Sequence, residues 1–385
     1  MKLPSLRALV PRLILLGVSA VLSLLVAEVA VRMVRPQAVM VVSQGLYVPD
    51  PPRRYRLQPG FQGTVTNRAE FDTRVAINRA GLRGPEVGPR QPGTLRVLAL
   101  GDSFTFGVGA QQEETYPARL EMVLRERGVR AEVLNAGAPG FGVPDAVAWY
   151  EAHGVPLQPD VAVLAVFMAN DLQDASPGAF KVVAEDGYLV VPGERGGLKR
   201  WLYYHSHLYV LLKNAFSGPL RKALGLGEAH AERELRAEFE LYAEKPSEMI
   251  KGGAAATDRA VAEWVRAASA RGDRVMAVLV PSLLQVDDEA WRQSLARFGL
   301  DSSRLDQDRP TLLFRDIFQR HGVPVLDLTR PFRQAMGVGQ RVYYPIDQHL
   351  TPEGYELMAR LVADFLVKNR LTGAGTAPSP PGTAP

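Results

Sequence analysis

Five short runs of apolar residues recur between residues 95 and 328, and each run is bounded by glycine, proline or aspartate. Runs of this length are typical of strands buried on both faces of a parallel sheet. The stretches between them repeat their apolar residues with the period of an amphipathic helix. The predicted strands are Leu95–Leu100, Ala131–Asn135, Val161–Phe167, Arg274–Val280 and Val323–Leu328, and the predicted helices are Tyr116–Arg127, Asp145–His153, Thr257–Arg271, Arg309–His321 and Pro352–Asn369.

Strands and helices that alternate in this way predict an α/β fold, with a doubly wound parallel five-stranded sheet between layers of helices. Ligands of such sheets bind at the carboxyl ends of the strands. The last helix has clear start signals, because Thr351 can cap it and Pro352 suits the first helical position. We assign residues 95–371 to this domain.

The N-terminal segment is strongly apolar. Three basic residues precede the uncharged run Leu13–Ala27, and Glu28 follows it. Residues 13–34 are therefore predicted as a transmembrane anchor, since about 20 apolar residues span a bilayer, and residues 1–12 as a cytoplasmic N-terminus. A cleaved signal peptide is the alternative, although Leu25 or Glu28 would occupy the upstream cleavage position, where small residues are preferred. The basic residues before the span favour a location of residues 95–371 outside the cytoplasmic membrane, in the periplasm or at the cell exterior.

Two further regions depart from the strand and helix alternation. Residues 35–94 are rich in proline, glycine and arginine and predict an extended connector with short strands at Gly63–Thr66 and Thr73–Asn78. Residues 172–257 exceed an ordinary connection between a strand and a helix, so we expect an inserted cap beside the ligand-binding end of the sheet. Within it we predict a hairpin over 182–191 and helical stretches at Trp201–Phe216 and Ala229–Ala243, and after residue 371 a disordered tail, 372–385.

Composition excludes several classes of function. The chain has 385 residues, a net charge of +4 and no cysteine, which excludes disulfides, thiol catalysis and cysteine-ligated metal. No run of five or six basic residues appears, so nucleic-acid binding has little support. His205 and His207 lack further ligands at metal spacing. Gly107-Val108-Gly109 is too short for a phosphate loop, so we expect no cofactor and no metal.

Two short motifs carry the chemistry. Gly101-Asp102-Ser103-Phe104 follows the first strand, and Asp347-Gln348-His349 precedes the last helix. A serine on a turn between strand and helix exposes its hydroxyl, a histidine can take the hydroxyl proton, and an aspartate can orient that histidine. Alternatively, the first motif could be only a turn in which the serine caps a helix. The second could be only a surface loop in which the histidine is satisfied by local hydrogen bonds.

Gly137 and Asn170 follow later strands and are candidates for an oxyanion hole. Gly137 could instead serve only a tight turn, and Asn170 could cap a helix.

These motifs resemble those of the SGNH hydrolases, or GDSL-type esterases, which are named for a serine, a glycine, an asparagine and a histidine in four blocks. The matching residues are Ser103, Gly137, Asn170 and His349, with Asp347 two positions before the histidine. The resemblance runs from about residue 95 to residue 371 and is especially close to membrane-anchored bacterial members, which carry segments similar to residues 55–60 and 76–83. Many members have glycine where this chain has Met168.

The resemblance implies a flavodoxin-like three-layer fold and a serine esterase that forms an acyl-enzyme on Ser103. It also implies an oxyanion hole built from the backbone N–H groups of Ser103 and Gly137 and the side-chain amide of Asn170. The first hypothesis is therefore hydrolysis of carboxylic esters, including O-acetyl esters, on a small-molecule or glycan substrate. Transfer of the acyl group to cell-surface polysaccharide or peptidoglycan is the alternative. A non-catalytic glycan-binding or assembly module is the second alternative.

Overall fold

The computed structural model describes residues 6–176, 182–183, 187–190, 197–223 and 238–373. Most of the predicted tail and the larger part of the predicted helix at 229–243 lie outside these residues. The chain divides into two compact units. Unit 1 contains Met1–Val41, Asn67–Ala69 and Arg195–Arg233, and unit 2 contains the rest.

A long N-terminal helix and five short strands precede a region in which strands and helices alternate. The strands are β1 (Val41–Val42), β2 (Tyr47–Asp50), β3 (Arg53–Leu57), β4 (Gln62–Thr66), β5 (Asp72–Ala76), β6 (Leu95–Gly101), β7 (Ala131–Gly137), β8 (Val161–Phe167), β9 (Val182–Val183), β10 (Leu189–Val190), β11 (Arg274–Val280) and β12 (Val325–Asp327). The helices are α1 (Leu6–Val34), α2 (Ser103–Phe106), α3 (Tyr116–Glu126), α4 (Val143–Trp149), α5 (Asp171–Asp174), α6 (Leu198–His205), α7 (His207–Ala223), α8 (Glu248–Ser269), α9 (Leu283–Val286), α10 (Asp288–Phe298), α11 (Arg309–Arg320), α12 (Thr329–Gly337) and α13 (Pro352–Lys368).

The central sheet of unit 2 confirms the predicted doubly wound fold. Its five strands are parallel and run in the order β12-β11-β8-β6-β7. Gly101 at the end of β6 pairs with Gly137 at the end of β7, and Leu100 pairs with Leu164 near the end of β8. This register brings the residues that follow β6, β7 and β8 to one edge of the sheet.

Helices flank the sheet because successive strand residues point to opposite faces. Val97 and Ala99 of β6 belong to a core that also contains buried residues of α3 and α13, and these two helices contact each other. In the other helical layer α4 and α11 pack against α8, which also contacts β11. Both faces of β6 are therefore buried, as its uninterrupted apolar run predicts.

Several boundaries differ from the predicted ones. β7 extends to Gly137, so this glycine ends the strand rather than following it. α8 begins nine residues before the predicted helix, because Ser247 caps it. α10 and α12 were not predicted at all. Gly253, inside α8, allows close contact with α5, since a Cβ atom there would lie 1.8 Å from the carbonyl oxygen of Leu172.

The connector is more regular than expected. β4 and β5 pair antiparallel, close to the two predicted short strands. The unpredicted strands β2 and β3 form a second antiparallel pair. Tyr55 of β3 donates a hydrogen bond from its hydroxyl to the Pro139 carbonyl at 2.9 Å, and its ring packs on Phe141. The connector therefore contacts the loop that leaves β7.

The insertion contains the predicted hairpin pairing, since β9 and β10 are antiparallel. Its helices α6 and α7 belong to unit 1 together with α1. Residues Val10–Val34 of α1 are long and apolar enough to cross a membrane, with a mean hydropathy of 2.5 and no burial. The predicted apolar span is thus a continuous helix, which fits a single-pass membrane anchor.

Candidate active site

Ser103 begins α2 directly after β6, on a tight turn that needs glycine at its start. Gly101 has a φ of 145°, and a Cβ atom there would lie 2.4 Å from Thr105 Oγ1. Asp102 caps the helix, because its carboxylate accepts a hydrogen bond from the Phe104 N–H at 2.8 Å. Asp102 therefore stabilises the turn, and Ser103 is held at the carboxyl edge of the sheet.

His349 and Asp347 lie on a closed loop before α13. The Tyr344 N–H donates to the His349 carbonyl at 2.9 Å, and the Gln348 N–H donates to the Tyr344 carbonyl at 3.0 Å. Gln348 has a φ of 66°, which lets the flanking side chains turn toward each other. His349 Nδ1 lies 2.5 Å from Asp347 Oδ1, and His349 Nε2 lies 2.8 Å from Ser103 Oγ. The three side chains thus form one continuous chain of hydrogen bonds.

The imidazole of His349 is held by packing as well as by these bonds. Its ring centroid lies 5.0 Å from that of Phe104, which stacks on Phe167 at 4.1 Å. The side chains of His349 and Asp347 are 18% and 11% exposed. Both side chains are therefore largely sheltered from solvent, and Ser103 is half-buried.

Glu70 of the connector fixes the histidine loop from outside. Its carboxylate accepts hydrogen bonds from the backbone N–H groups of Ile346 at 2.9 Å and Asp347 at 2.8 Å. Hydrogen bonds to a charged acceptor are stronger than neutral ones. Sequence reasoning missed Glu70, because nothing in its neighbourhood along the chain links it to residue 347.

Arg83, also in the connector, fixes the loop that follows the serine. The side chain is buried, and its guanidinium donates to the carbonyls of Phe106, Gly107 and Ala110 at 2.9, 2.7 and 2.7 Å. Burial lowers the pKa of Arg83 to about 10. The carbonyls that end α2 thus have a charged donor, which keeps the serine turn in place.

Gly137 has a partner that sequence reasoning did not foresee. Its N–H donates to Asn135 Oδ1 at 3.0 Å, and a Cβ atom on it would lie 2.1 Å from the Phe106 nitrogen. Glycine is required here because β7 packs against the backbone of α2.

Gly140, in the turn after β7, has a φ of 83°, and its N–H bonds to none of the residues that the structure describes. The preceding proline is the sequence signal for this turn.

Asn170 lies three residues beyond the end of β8, at the N-cap position of α5, but its side chain makes no capping hydrogen bond. Its Oδ1 atom is buried and bonds to no other described residue. Position 168 does not require glycine, although many SGNH hydrolases have glycine there and this chain has Met168. It is buried, its φ is not positive, and its N–H donates to the Val280 carbonyl at 3.0 Å.

Two buried carboxyl groups lie close to the serine turn. Burial raises the pKa of Asp102 to about 6, although hydrogen bonding from Phe104 and the charge of His349 lower it. Burial, followed by the charge of Asp102, raises the pKa of Asp171 well above its usual range. Two such groups avoid ionising together. Within the described ranges, no group of three His, Asp or Glu side chains could hold a metal ion.

The resemblance to SGNH hydrolases is confirmed by comparison with known families. Residues 239–379 match a family model described as an SGNH hydrolase-like domain, acetyltransferase AlgX. The matched region contains Asp347 and His349, whereas Ser103 lies before it. No curated protein sequence matches the chain.

Similar solved structures are esterases and acylhydrolases. An acetyl xylan esterase, AlAXEase, has 15% identity and a TM-score of 0.39, covering 71% of this chain and 99% of that one. A lipase/acylhydrolase from Enterococcus faecalis has 15% identity and a TM-score of 0.35, covering 71% and 96%. A two-domain esterase active on acetylated mannans has 14% identity and a TM-score of 0.38, covering 76% and 52%. Likenesses at this level carry no information about the substrate of this chain.

Proposed function

We propose that the protein is a serine esterase that hydrolyses carboxylic esters, O-acetyl esters among them, through an acyl-enzyme on Ser103. The observation that carries this proposal is the pair of contacts of His349, at 2.8 Å to Ser103 Oγ and at 2.5 Å to Asp347 Oδ1. A nucleophile, a base and a group that orients the base are the three parts that acyl transfer requires. A non-catalytic module would have no need of this arrangement.

In the first half of the reaction, Ser103 Oγ bonds to the ester carbonyl carbon as its proton passes to His349 Nε2. Asp347 accepts the Nδ1–H bond and stabilises the imidazolium that forms. Collapse of the tetrahedral intermediate breaks the bond between the carbonyl carbon and the leaving oxygen. That oxygen takes the proton from His349 and departs as an alcohol, which leaves the acyl group on Ser103.

The negative oxygen of the intermediate needs hydrogen-bond donors. Ser103 begins α2, so its backbone N–H has no acceptor inside the helix. Rotation about χ2 of Asn170 exchanges its Oδ1 and Nδ2 atoms, and Oδ1 has no described hydrogen-bond partner that would be lost. We propose these two groups together with a backbone N–H from the β7 loop. Gly137 would first have to release Asn135, whereas Gly140 could donate without such an exchange.

In the second half, His349 removes a proton from a water molecule as its oxygen bonds to the acyl carbon. Collapse of this second intermediate breaks the bond between the acyl carbon and Ser103 Oγ, which takes the proton back from His349, and the carboxylic acid leaves. Replacement of water by a sugar hydroxyl makes the same residues an O-acyltransferase. The description of the matching family as an acetyltransferase supports this second candidate. The two functions separate if a purified chain is given an aryl acetate with and without an acetyl-free polysaccharide, and acetylated polysaccharide and free acetate are both measured.

The test of the esterase is covalent labelling of the full chain in detergent. A fluorophosphonate probe should label Ser103, as identified by mass spectrometry of the peptide, and hydrolysis of a short aryl ester should disappear in Ser103→Ala. Thr105→Ser serves as a control for disturbance of α2, because the serine hydroxyl can keep the bond to the Leu100 carbonyl. Equal turnover by Ser103→Ala and the wild type would refute the assignment.

We further propose that α1 anchors the enzyme in the cytoplasmic membrane, with the catalytic domain in the periplasm or at the cell exterior. The apolar helix and the basic residues before it support this orientation. Acetylated cell-surface polysaccharide and peptidoglycan are then the accessible substrates. Protease added to intact spheroplasts should digest the large domain, and protection until lysis would establish the opposite orientation.

A further inference from the structure

The apolar helix α1 carries a carboxylate whose partners lie in the insertion. Glu28 accepts a hydrogen bond from Ser206 Oγ at 2.7 Å. It also accepts hydrogen bonds from the backbone N–H groups of His207 and Leu208, at 2.9 and 2.8 Å. These two N–H groups belong to the first turn of α7, which has no acceptor for them within the helix. Glu28 therefore caps the N-terminus of α7 together with Ser206, which accepts a hydrogen bond from the Tyr209 N–H at 3.0 Å.

Arg32 completes this junction. Its Nε donates to Glu28 at 2.6 Å, and its Nη2 donates to the carbonyl of His205, the last residue of α6, at 2.7 Å. Opposite helix ends thus receive opposite charges, which is the favourable arrangement. His207 Nδ1 also accepts a hydrogen bond from the Gln37 N–H at 2.8 Å. The junction of α6 and α7 is fixed to the C-terminal part of α1.

This attachment sets the depth of the junction in a bilayer that α1 spans. Val10–Val34 has 25 residues, which corresponds to about 37 Å at 1.5 Å per residue, whereas the hydrocarbon core is about 30 Å thick. Glu28 lies six residues before the end of α1, or about 9 Å along the axis. The last turns of α1 therefore lie at the boundary between hydrocarbon and headgroups. The N-terminus of α7 and the C-terminus of α6, which bond to these turns, lie at the same level.

Several exposed side chains of α6 and α7 have the chemistry of that boundary. Leu198, Trp201 and Leu212 are 70%, 56% and 43% exposed. Lys199 and Lys213 lie beside them in sequence. Tryptophan is enriched at the level of the headgroups, and lysine is attracted to anionic lipid. Exposed apolar side chains with basic neighbours are typical of a helix that lies in the membrane surface.

We propose that α6 and α7 form a membrane-surface element that inserts Leu198, Trp201 and Leu212 into the headgroup layer of a phospholipid bilayer beside α1. This proposal rests on the anchoring by α1 proposed above, and it holds for either orientation of the anchor. It assigns to the insertion the role of a second membrane contact, one that restricts rotation of the chain about the axis of α1.

Tryptophan fluorescence tests the proposal, because Trp201 is exposed whereas Trp149, Trp264 and Trp291, the other three tryptophans, are buried. The full chain is reconstituted in vesicles of phosphatidylcholine and phosphatidylglycerol, with or without bromine near the carboxyl end of the acyl chains. Brominated lipid should quench the wild-type fluorescence, and Trp201→Phe should remove most of that quenching.

Two leucine variants sharpen the test. Leu198→Glu should weaken the quenching of Trp201, whereas Leu312→Glu, at a leucine 53% exposed on α11 of unit 2, should leave it unchanged. Equal quenching in the wild type and Trp201→Phe, or in both leucine variants, overturns the proposal, since lipid would not then contact these side chains. Failure of the full chain to float with the vesicles would overturn the anchor itself.

Discussion

Removal of the charge of Glu70 should slow the enzyme without a change in any residue of the proposed triad. The carboxylate accepts two backbone N–H bonds, at 2.9 Å from Ile346 and 2.8 Å from Asp347. In Glu70→Gln the side-chain oxygen can accept only one of them, and the new NH₂ group faces the other N–H. The histidine loop therefore loses one charge-assisted bond and gains a contact between two donors.

The expected effect is about tenfold to thirtyfold. A hydrogen bond to a charged group is worth about 1.5–3 kcal/mol. If about 2 kcal/mol of that holds Asp347 and His349 in place, kcat falls about thirtyfold, since about 1.4 kcal/mol corresponds to a factor of ten. Part of the loss can be recovered by rotation of the exposed loop, which gives the lower figure. KM for a small ester should change little, because the two bonds that Glu70 makes to this loop go to backbone N–H groups and not to the side chains proposed to contact the ester.

The assay is the rate of fluorophosphonate labelling of Ser103, together with kcat and KM for a short aryl ester. Glu86→Gln is the matched control, because Glu86 is a connector glutamate that accepts a backbone N–H bond from Arg79, away from the histidine loop. The reasoning is refuted if Glu70→Gln labels as fast as Glu86→Gln, or if KM rises while kcat stays constant.

Three further outcomes are expected. Asn170→Ala should lower kcat by about 10²–10³ with little change in KM, the usual effect of one lost oxyanion donor, and a change in KM alone would show that Asn170 binds the ground state. Arg83→Met should lower the free energy of unfolding by about 3 kcal/mol or more in chemical denaturation, because three hydrogen bonds from a charged donor are lost, whereas the exposed Arg79→Met should have no measurable effect. The pKa of folded Asp102, about 6, exceeds its usual 3.8, so its protonation stabilises the folded chain fully below about pH 4, and this contribution is lost as the pH rises through 6. Asp102→Asn should therefore gain stability relative to the wild type between pH 4 and pH 7, and parallel pH profiles would contradict this reasoning.

The central sheet can be predicted well from the sequence, because a strand buried on both faces is a continuous run of apolar residues. β8 and β11 have the predicted bounds, since each is an apolar run that ends where the chain leaves the core. Ser103, Gly137 and Asn170 could be assigned to one edge for the same reason. α10 and α12 were missed, because α10 buries only Trp291 and Leu295 in a small separate cluster and α12 has only a short apolar stripe.

Contacts between distant parts of the chain could not be predicted, because no local sequence pattern indicates them. The bonds of Glu70 to residues 346 and 347, and that of Gly137 to Asn135, depend on how the backbone turns in three dimensions. Glu28 illustrates the same limit. From the sequence it is a carboxylate near the end of an apolar span, whereas in the structure it caps a helix that begins 179 residues later. The period of the hydrophobic residues predicts helices and strands, but the hydrogen-bond partner of a polar group depends on the whole fold.

The connector limits where this protein can be shortened. Its residues Tyr55, Glu70 and Arg83 each bond to a different loop around Ser103, namely the loops after β7, before α13 and after α2. A fragment that begins at Leu95 would retain every strand of the central sheet and every residue of the proposed triad. It would nevertheless lack Tyr55, Glu70 and Arg83 and their bonds to these loops. It should therefore react slowly with the fluorophosphonate, while its circular dichroism still shows both helix and strand. Fragments intended for crystallisation or directed evolution should therefore start before β2.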